Sequence, residues 1–408
     1  MIDHRSFIVK AASSTALLLT IAYLGFISLG LPDTLIGVAW PSVRDGFGRQ
    51  QADMAWIFFG TGASYFLSGL FAGRLLNKVG VGVLLAGSSV LVAASGFGYS
   101  AAPFWWLFAC CSLLHGLGSG AIDTGLNHYV ANHFSARHMN WLHACYSVGA
   151  TLGPLIMTSM LTSLGSWRAG YVTVASILLL LTILFALTRH LWDSPAEPDA
   201  VPNAVPTPDE PPMGMRQALQ SMAVWLQIVL FFIYTGLEVT VGQWSFTLLT
   251  ESRGVDKETA GLWVTLYWAS LTAGRVLFGF VVERMGIDQL LRLSMLGLVA
   301  GLTLFALNVS APLSALALAL TGLGLASIYP CLMTRTPQRL GKARAAHAIG
   351  FQVSSAMIGA ALFPSACGWL AQRSGLEVVA AVALGMGAIL LVLHEVLLRS
   401  DTKTTQHG

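Results

Sequence analysis

The sequence predicts an all-α membrane protein of twelve transmembrane helices, arranged as two pseudo-symmetric six-helix bundles. Three observations lead there. Of the 408 residues, 55% are hydrophobic and only 10% charged, whereas a soluble domain carries about 25% charged residues. Apolar stretches long enough to cross a hydrocarbon core, about 20 residues each, recur along the whole chain. The second half also repeats landmarks of the first at a constant shift of 206 residues.

The first stretch, residues 15–41, exceeds a secretory h-region of about 7 to 15 residues. It is expected to be retained as a span. It carries Gly30-Leu31-Pro32-Asp33-Thr34. A carboxylate at membrane depth costs roughly 2.5 to 3.5 kcal/mol on insertion scales and persists where it faces a cavity, a partner or a proton path. Pro32 cannot donate to the carbonyl of Ser28, so the helix is expected to kink beside the acid. Spans follow at 53–76, 82–101, 104–133, 141–161 and 169–190. In the fourth, Gly116, Gly120, Asp123 and Asn127 recur at helical spacing and share one small, polar face. Counting along the helices places Asp33 toward the outside and Asp123 toward the cytoplasm, so the two acids need not touch.

Residues 191–213 then change character, with seven prolines, five acidic residues and no Lys or Arg. Such a composition reads as a solvated, extended linker. Residues 1–190 are expected to form one bundle, 191–215 a cytoplasmic proline-rich linker, and 216–408 the second bundle. The second set of spans lies at 218–249, 259–282, 289–309, 312–334, 346–371 and 376–398. The seventh holds Glu238, within one residue of the repeat position of Asp33, and Gln243 with Trp244. The eighth adds Trp263, Tyr267 and Arg275, and the eleventh offers Gln352.

An even span number puts both termini on one side. Assigning them and the even-numbered loops to the cytoplasm places 16 of the 22 Lys and Arg there. Both termini are therefore expected inside. The net charge of +3 is too small to suggest nucleic acid, and the five cysteines show no metal-ligand spacing.

The shift of 206 carries Gly73, Asn77, Lys78 and Gly80 onto Gly279, Glu283, Arg284 and Gly286. It also carries Gly30 onto Gly236, Gly118 onto Gly324 and Gly153 onto Gly359. Duplicated halves place the substrate near the membrane midplane between them.

Two six-helix halves, a central linker and a Gly-x-x-x-(Asn/Glu)-(Lys/Arg)-x-Gly loop resemble the major facilitator superfamily over essentially the whole chain. In that superfamily the loop is a cytoplasmic charge network that steadies the outward-facing state. The resemblance implies gating roles for Asn77, Lys78, Glu283 and Arg284. Asn77 stands where the family has an acid, and Val81 and Gly82 replace its trailing basic residues, which implies a weaker gate in the first half. More narrowly, Gly30-Leu-Pro-Asp33-x3-Gly37-x2-Trp40-Pro41, His143-Ala-x-Tyr146-x2-Gly149-x3-Gly153-Pro154 and Ala348-Ile-Gly350-Phe-Gln352 resemble the fucose–galactose–glucose proton symporter group. There, acids in the first and fourth helices serve proton coupling and sugar contact, positions filled by Asp33 and Asp123.

The residues themselves point the same way. Asp33, Asp123 and Glu238 are the candidate proton carriers. Glu238 and Asp123 compete as the partner of Asp33. A sugar needs amide or carboxylate groups for its hydroxyls and aromatic faces for its C–H surface. Asn127, His143, Tyr146, Gln243, Trp244, Trp263, Tyr267 and Gln352 supply these. His115 and His394 also lie in or beside spans, as interior hydrogen-bonding groups. Arg275 reads as a gating charge, paired with Glu283 or with an acid across the interface.

No phosphate-cradling loop, metal cluster or nucleophile triad speaks for an enzyme, and no cofactor is expected. The function expected is proton-coupled symport of a sugar or similar small polar solute by alternating access. Its partners are that solute, a proton or sodium ion, and the lipid bilayer. A monomer in a bacterial inner membrane is expected. The rivals are an exporter or antiporter of amphipathic organic compounds and a receptor-like member that binds without transport.

Overall fold

The computed structural model describes residues 4–134, 136–192, 219–340 and 342–405, and among them every regular element is helical. Eleven helices are long and apolar enough to cross a membrane. We label them α1 (Ala16–Gly46), α2 and α3 (the two parts of Gln51–Ala101), α4 (Trp105–His133), α5 (Arg137–Ser163) and α6 (Trp167–Leu191). The others are α7 (Met222–Ser252), α8 (Lys257–Val282), α9 (Ile287–Leu307), α10 (Ala311–Leu340), α11 (Ala348–Ser374) and α12 (Val378–Arg399). Large apolar side chains lie open on their outer faces, including Phe280 and Met222 at 72% exposure and Leu187 at 70%. Such a surface is unfavourable in water and suits lipid.

The division of Gln51–Ala101 into two helices follows from one residue. Gly80 has φ 80° and ψ 166°, outside the helical region. Gly286, its counterpart 206 residues on, has φ 79° and ψ 153° and separates α8 from α9. A side chain at positive φ clashes with the backbone, so glycine is the residue that permits both breaks. The repeated loop motif thus encodes the same chain reversal twice. All five cysteines are unbridged.

The residues fall into two compact units. One comprises Met1–Leu35 with Ala63–Val205, the other Ile36–Gly62 with Pro206–Gly408. The expected linker at 191–215 lies largely outside the described residues. Within the first unit, α1 packs along α5 through glycines on both sides. A β-carbon on Gly30 would strike the carbonyl of Tyr146, one on Gly149 that of Ile27, and one on Gly153 that of Leu31. Membrane helices lack a hydrophobic drive toward one another, so close van der Waals approach over small residues holds such seams. Gly118 of α4 lies against Ser88 and Val92 of α3. In the second unit Gly324 of α10 lies against Leu298 of α9. Each residue of the second contact stands 206 places after its counterpart Gly118 or Val92. The duplication read from the sequence is therefore a duplication of packing.

Two spans are interrupted. α1 turns at Thr34, directly after Pro32 and Asp33. The Thr34 hydroxyl donates to the carbonyl of Ala150 on α5 at 3.2 Å, which anchors the break. α10 is interrupted at Ser327, whose hydroxyl donates to Ser294 of α9 at 2.7 Å.

Candidate functional site

In the first unit the break in α1 presents Asp33 to α4 and α5. Tyr146 of α5 donates from Oη to Asp33 Oδ2 at 2.8 Å. His115 of α4 sets its Nε2 3.2 Å from Asp33 Oδ1. The approach of α1 to α5 over Gly30 and Gly149 is what lets the tyrosine reach. Asp33 keeps 31% of its side chain exposed, while His115 keeps 7%. The acid is therefore partly open and the ring nearly closed off.

Asp123 has a separate set of partners. Tyr65 of α2 donates to Asp123 Oδ2 at 2.7 Å, and Asn127, one turn along α4, donates to Oδ1 at 2.9 Å. Gly120 allows this, because a β-carbon there would stand 2.7 Å from the carbonyl of Tyr65. The small face of α4 thus packs α2 and carries the acid at once. Asp123 lies within electrostatic reach of Asp33 and His143. The two acids, expected at different depths, are members of one cluster. His143, favoured over His115 from sequence, has its ring edge-on to Phe26 at 5.3 Å. Sequence reasoning passed over Tyr65. Its signal was faint, a lone tyrosine in the small-residue stretch Gly60-Thr-Gly62-Ala-Ser-Tyr65.

The second unit holds two further polar centres. Glu238, 8% exposed, accepts a short hydrogen bond from Tyr234 and lies 3.5 Å from Arg275 Nη2. Tyr267 donates to the backbone carbonyl of Glu238 at 2.9 Å. Arg275, for which Glu283 or an acid across the interface was the expected partner, reaches Glu238 of α7. The side chain of Glu283 lies outside the described residues. Gln352 is fully buried and donates to Gln227 Oε1 at 2.6 Å and to Thr336 Oγ1 at 3.0 Å. This amide and hydroxyl network ties α7, α10 and α11 together.

Several residues expected to face a solute are buried among helices in this structure. Trp244 is fully buried, and its indole N–H donates to the carbonyl of Pro364 at 2.9 Å. Tyr267 is equally buried, against Trp268. Gln243 is buried where α7 meets Gly37 of α1. The Trp244 indole N–H and the Tyr267 hydroxyl are thus engaged by backbone carbonyls. Trp263 is half-buried, and Asn77, Lys78 and Arg284 are exposed. A cavity of about 480 Å³ in the second unit is lined by Arg44, Arg49, Gln50, Gln51, Glu251 and Gln372 among others. There Arg44 Nη1 and Gln51 Nε2 both donate to Glu251 Oε2, at 2.8 and 2.9 Å. Among the described residues no group of three or more His, Cys, Asp or Glu is arranged to hold a metal ion.

Chemically, the first-unit cluster offers two carboxylates, each held by a tyrosine hydroxyl, with imidazole nearby. Such a set can take up and release protons and can accept hydrogen bonds from hydroxyl groups.

The family model described as the Major Facilitator Superfamily matches residues 22–254 and 226–407. The chain is 22% identical over 392 residues to a glucose/mannose transporter of Bacillus subtilis, covering 93% of this chain and 94% of that one. It is 23% identical over 350 residues to sodium-dependent glucose transporter 1A of Mus musculus, covering 76% and 79%. It is 23% identical over 286 residues to bypass of stop codon protein 6 of Saccharomyces cerevisiae, covering 64% of this chain and 56% of that protein's length. Among solved structures, a bacterial homologue of the human lysosomal transporter Spinster superposes with a TM-score of 0.77 at 13% identity, over 96% of this chain and 98% of the other. A nucleoside transporter superposes with a TM-score of 0.71 at 14% identity, over 93% and 99%.

Proposed function

The chain belongs to the Major Facilitator Superfamily, and from that premise we propose that it carries a sugar or similar small polar solute in symport with protons, by alternating access. It is a multi-pass transporter and not an enzyme. The observation that carries the proposal is the pairing of Asp33 with Tyr146 and His115 beside Asp123 with Tyr65 and Asn127. Two carboxylates at membrane depth are costly unless used. Their partners here are hydrogen-bond donors, which leave the acids able to exchange a proton. The names of the glucose-carrying relatives support a hexose as the first solute to test.

In this reading Asp33 and Asp123 carry the proton, and Asn127, His143 and Tyr146 contact the solute. Glu238 with Arg275 forms a counterpart centre in the second half. Asn77, Lys78, Glu283 and Arg284 belong to gating loops. The working halves are residues 1–190 and 216–408, joined by 191–215, with both termini in the cytoplasm of a bacterial cell.

The test is uptake of radiolabelled D-glucose and D-mannose by proteoliposomes, driven by a proton gradient or by a sodium gradient. Acidifying the outside should accelerate uptake, and Asp33→Asn should abolish it. Uptake that follows sodium and ignores pH would favour the coupling named for the mouse relative and reject proton symport.

A further inference from the structure

We propose that His115 is the positioning partner through which Asp33 exchanges its proton, so that coupling runs through a carboxylate–imidazole pair. The inference rests on the reading of Asp33 as a coupling acid.

The geometry is specific. His115 Nε2 lies 3.2 Å from Asp33 Oδ1, while the other carboxylate oxygen accepts from Tyr146. The ring is 7% exposed, and Nε2 lacks an aligned hydrogen-bond partner. Ser119, one turn further along the same face of α4, is also buried with its hydroxyl unpartnered. The other titratable groups around the pair are Asp123 on α4, Tyr65 from α2, and His143 and Tyr146 from α5.

The consequence is electrostatic. In the exchange step the Nε2–H bond of the imidazolium breaks as an Oδ1–H bond forms. The products are a neutral imidazole and a neutral carboxylic acid. The pair has no net charge before or after. The transfer step therefore discharges both groups at once and creates no isolated ion in a medium where these are expensive. The proton itself enters beforehand, when neutral His115 beside ionised Asp33, net −1, takes it up. A hard cation is held by oxygen ligands, so an imidazole at this distance favours a proton on Asp33.

The test uses the full chain in proteoliposomes with His115→Gln and His115→Asn. Glutamine places an amide N–H near the position of Nε2 and keeps a hydrogen bond, yet it exchanges no proton at working pH. Both variants should lose gradient-driven accumulation of D-glucose or D-mannose by at least about tenfold while keeping counterflow within about twofold, since exchange moves no net proton. Accumulation restored by glutamine would overturn the proposal, because hydrogen bonding alone would then suffice.

If the unaltered protein carries neither sugar, the sugar reading fails on its own, and the pair is read without solute. Infrared pH titration of the purified protein identifies the Asp33 carboxylic acid band by its loss in Asp33→Asn. The midpoint of that band should be displaced in His115→Gln. The imidazole titration should be displaced in Asp33→Asn, a measurement that does not depend on the His115 variants folding. Unmoved midpoints would overturn the pair.

Discussion

Tyr146 donates a 2.8 Å hydrogen bond to Asp33, and so fastens α5 to the point at which α1 breaks. The tyrosine reaches the acid because glycines on both helices remove the side chains that would hold them apart. Hydrogen bonds to charged groups contribute about 1.5 to 3 kcal/mol. Tyr146→Phe removes the donor and keeps the ring. Gradient-driven uptake should fall by about tenfold or more, with Tm changed by no more than a few degrees. Uptake assays beside thermal unfolding in detergent measure both, and unimpaired uptake would detach Tyr146 from the mechanism.

Gly80 and Gly286 should be the intolerant glycines of the repeated loop. A left-handed backbone costs a non-glycine residue about 1 to 2 kcal/mol, so Gly80→Ala and Gly286→Ala should each lower Tm by a few degrees. Gly73 and Gly279, in the same motif, are helical, and a β-carbon at either would meet nothing within 4 Å. Alanine there should be neutral or slightly stabilising. Thermal-shift curves for the four variants provide the comparison.

Gln352 should prove a packing residue in this unit. Removing its amide by Gln352→Leu leaves Gln227 and Thr336 buried with fewer partners, at a cost of about 1 to 3 kcal/mol. A lowered Tm with unchanged apparent solute affinity is the expected pair of results. A changed KM with unchanged Tm would return Gln352 to the solute-facing set expected from sequence.

Arg253 and Glu377 should give the protein an acid-sensitive clamp between spans. Arg253 donates to Glu377 Oε1 at 3.0 Å and to Oε2 at 2.7 Å, and these bonds hold the carboxyl below its usual range. The bonded form is the ionised one. Its stabilisation is therefore present above the unfolded value of 4.5 and is lost as pH falls through the lower folded value. Tm measured against pH should decline below 4.5, and Glu377→Gln should lower Tm at neutral pH while flattening that decline.

Much of this was legible in the residues. Twelve spans, the 206-residue duplication with its repeated loop motif, and the kink at Pro32 follow from composition and local stereochemistry. The acids Asp33, Asp123 and Glu238 were visible because charge at membrane depth is rare. Their partners were not. Tyr65 and His115 resemble ordinary interior residues until α2 and α4 are placed beside the acids. That Trp244 and Tyr267 are buried, each with its polar group bonded to a backbone carbonyl, was equally invisible in the sequence.

The sequence by itself determined which segments are apolar enough to cross the membrane, that the first of them breaks beside Pro32, and which of their residues carry charge at costly depth. Only the tertiary structure decided that His115 faces Asp33, that Tyr65 serves Asp123 and that Arg275 answers Glu238. In water the hydrophobic period marks the buried face of a helix. In lipid the outward and inward faces are nearly equally apolar, so periodicity does not fix which way a helix turns, and packing over small residues settles it.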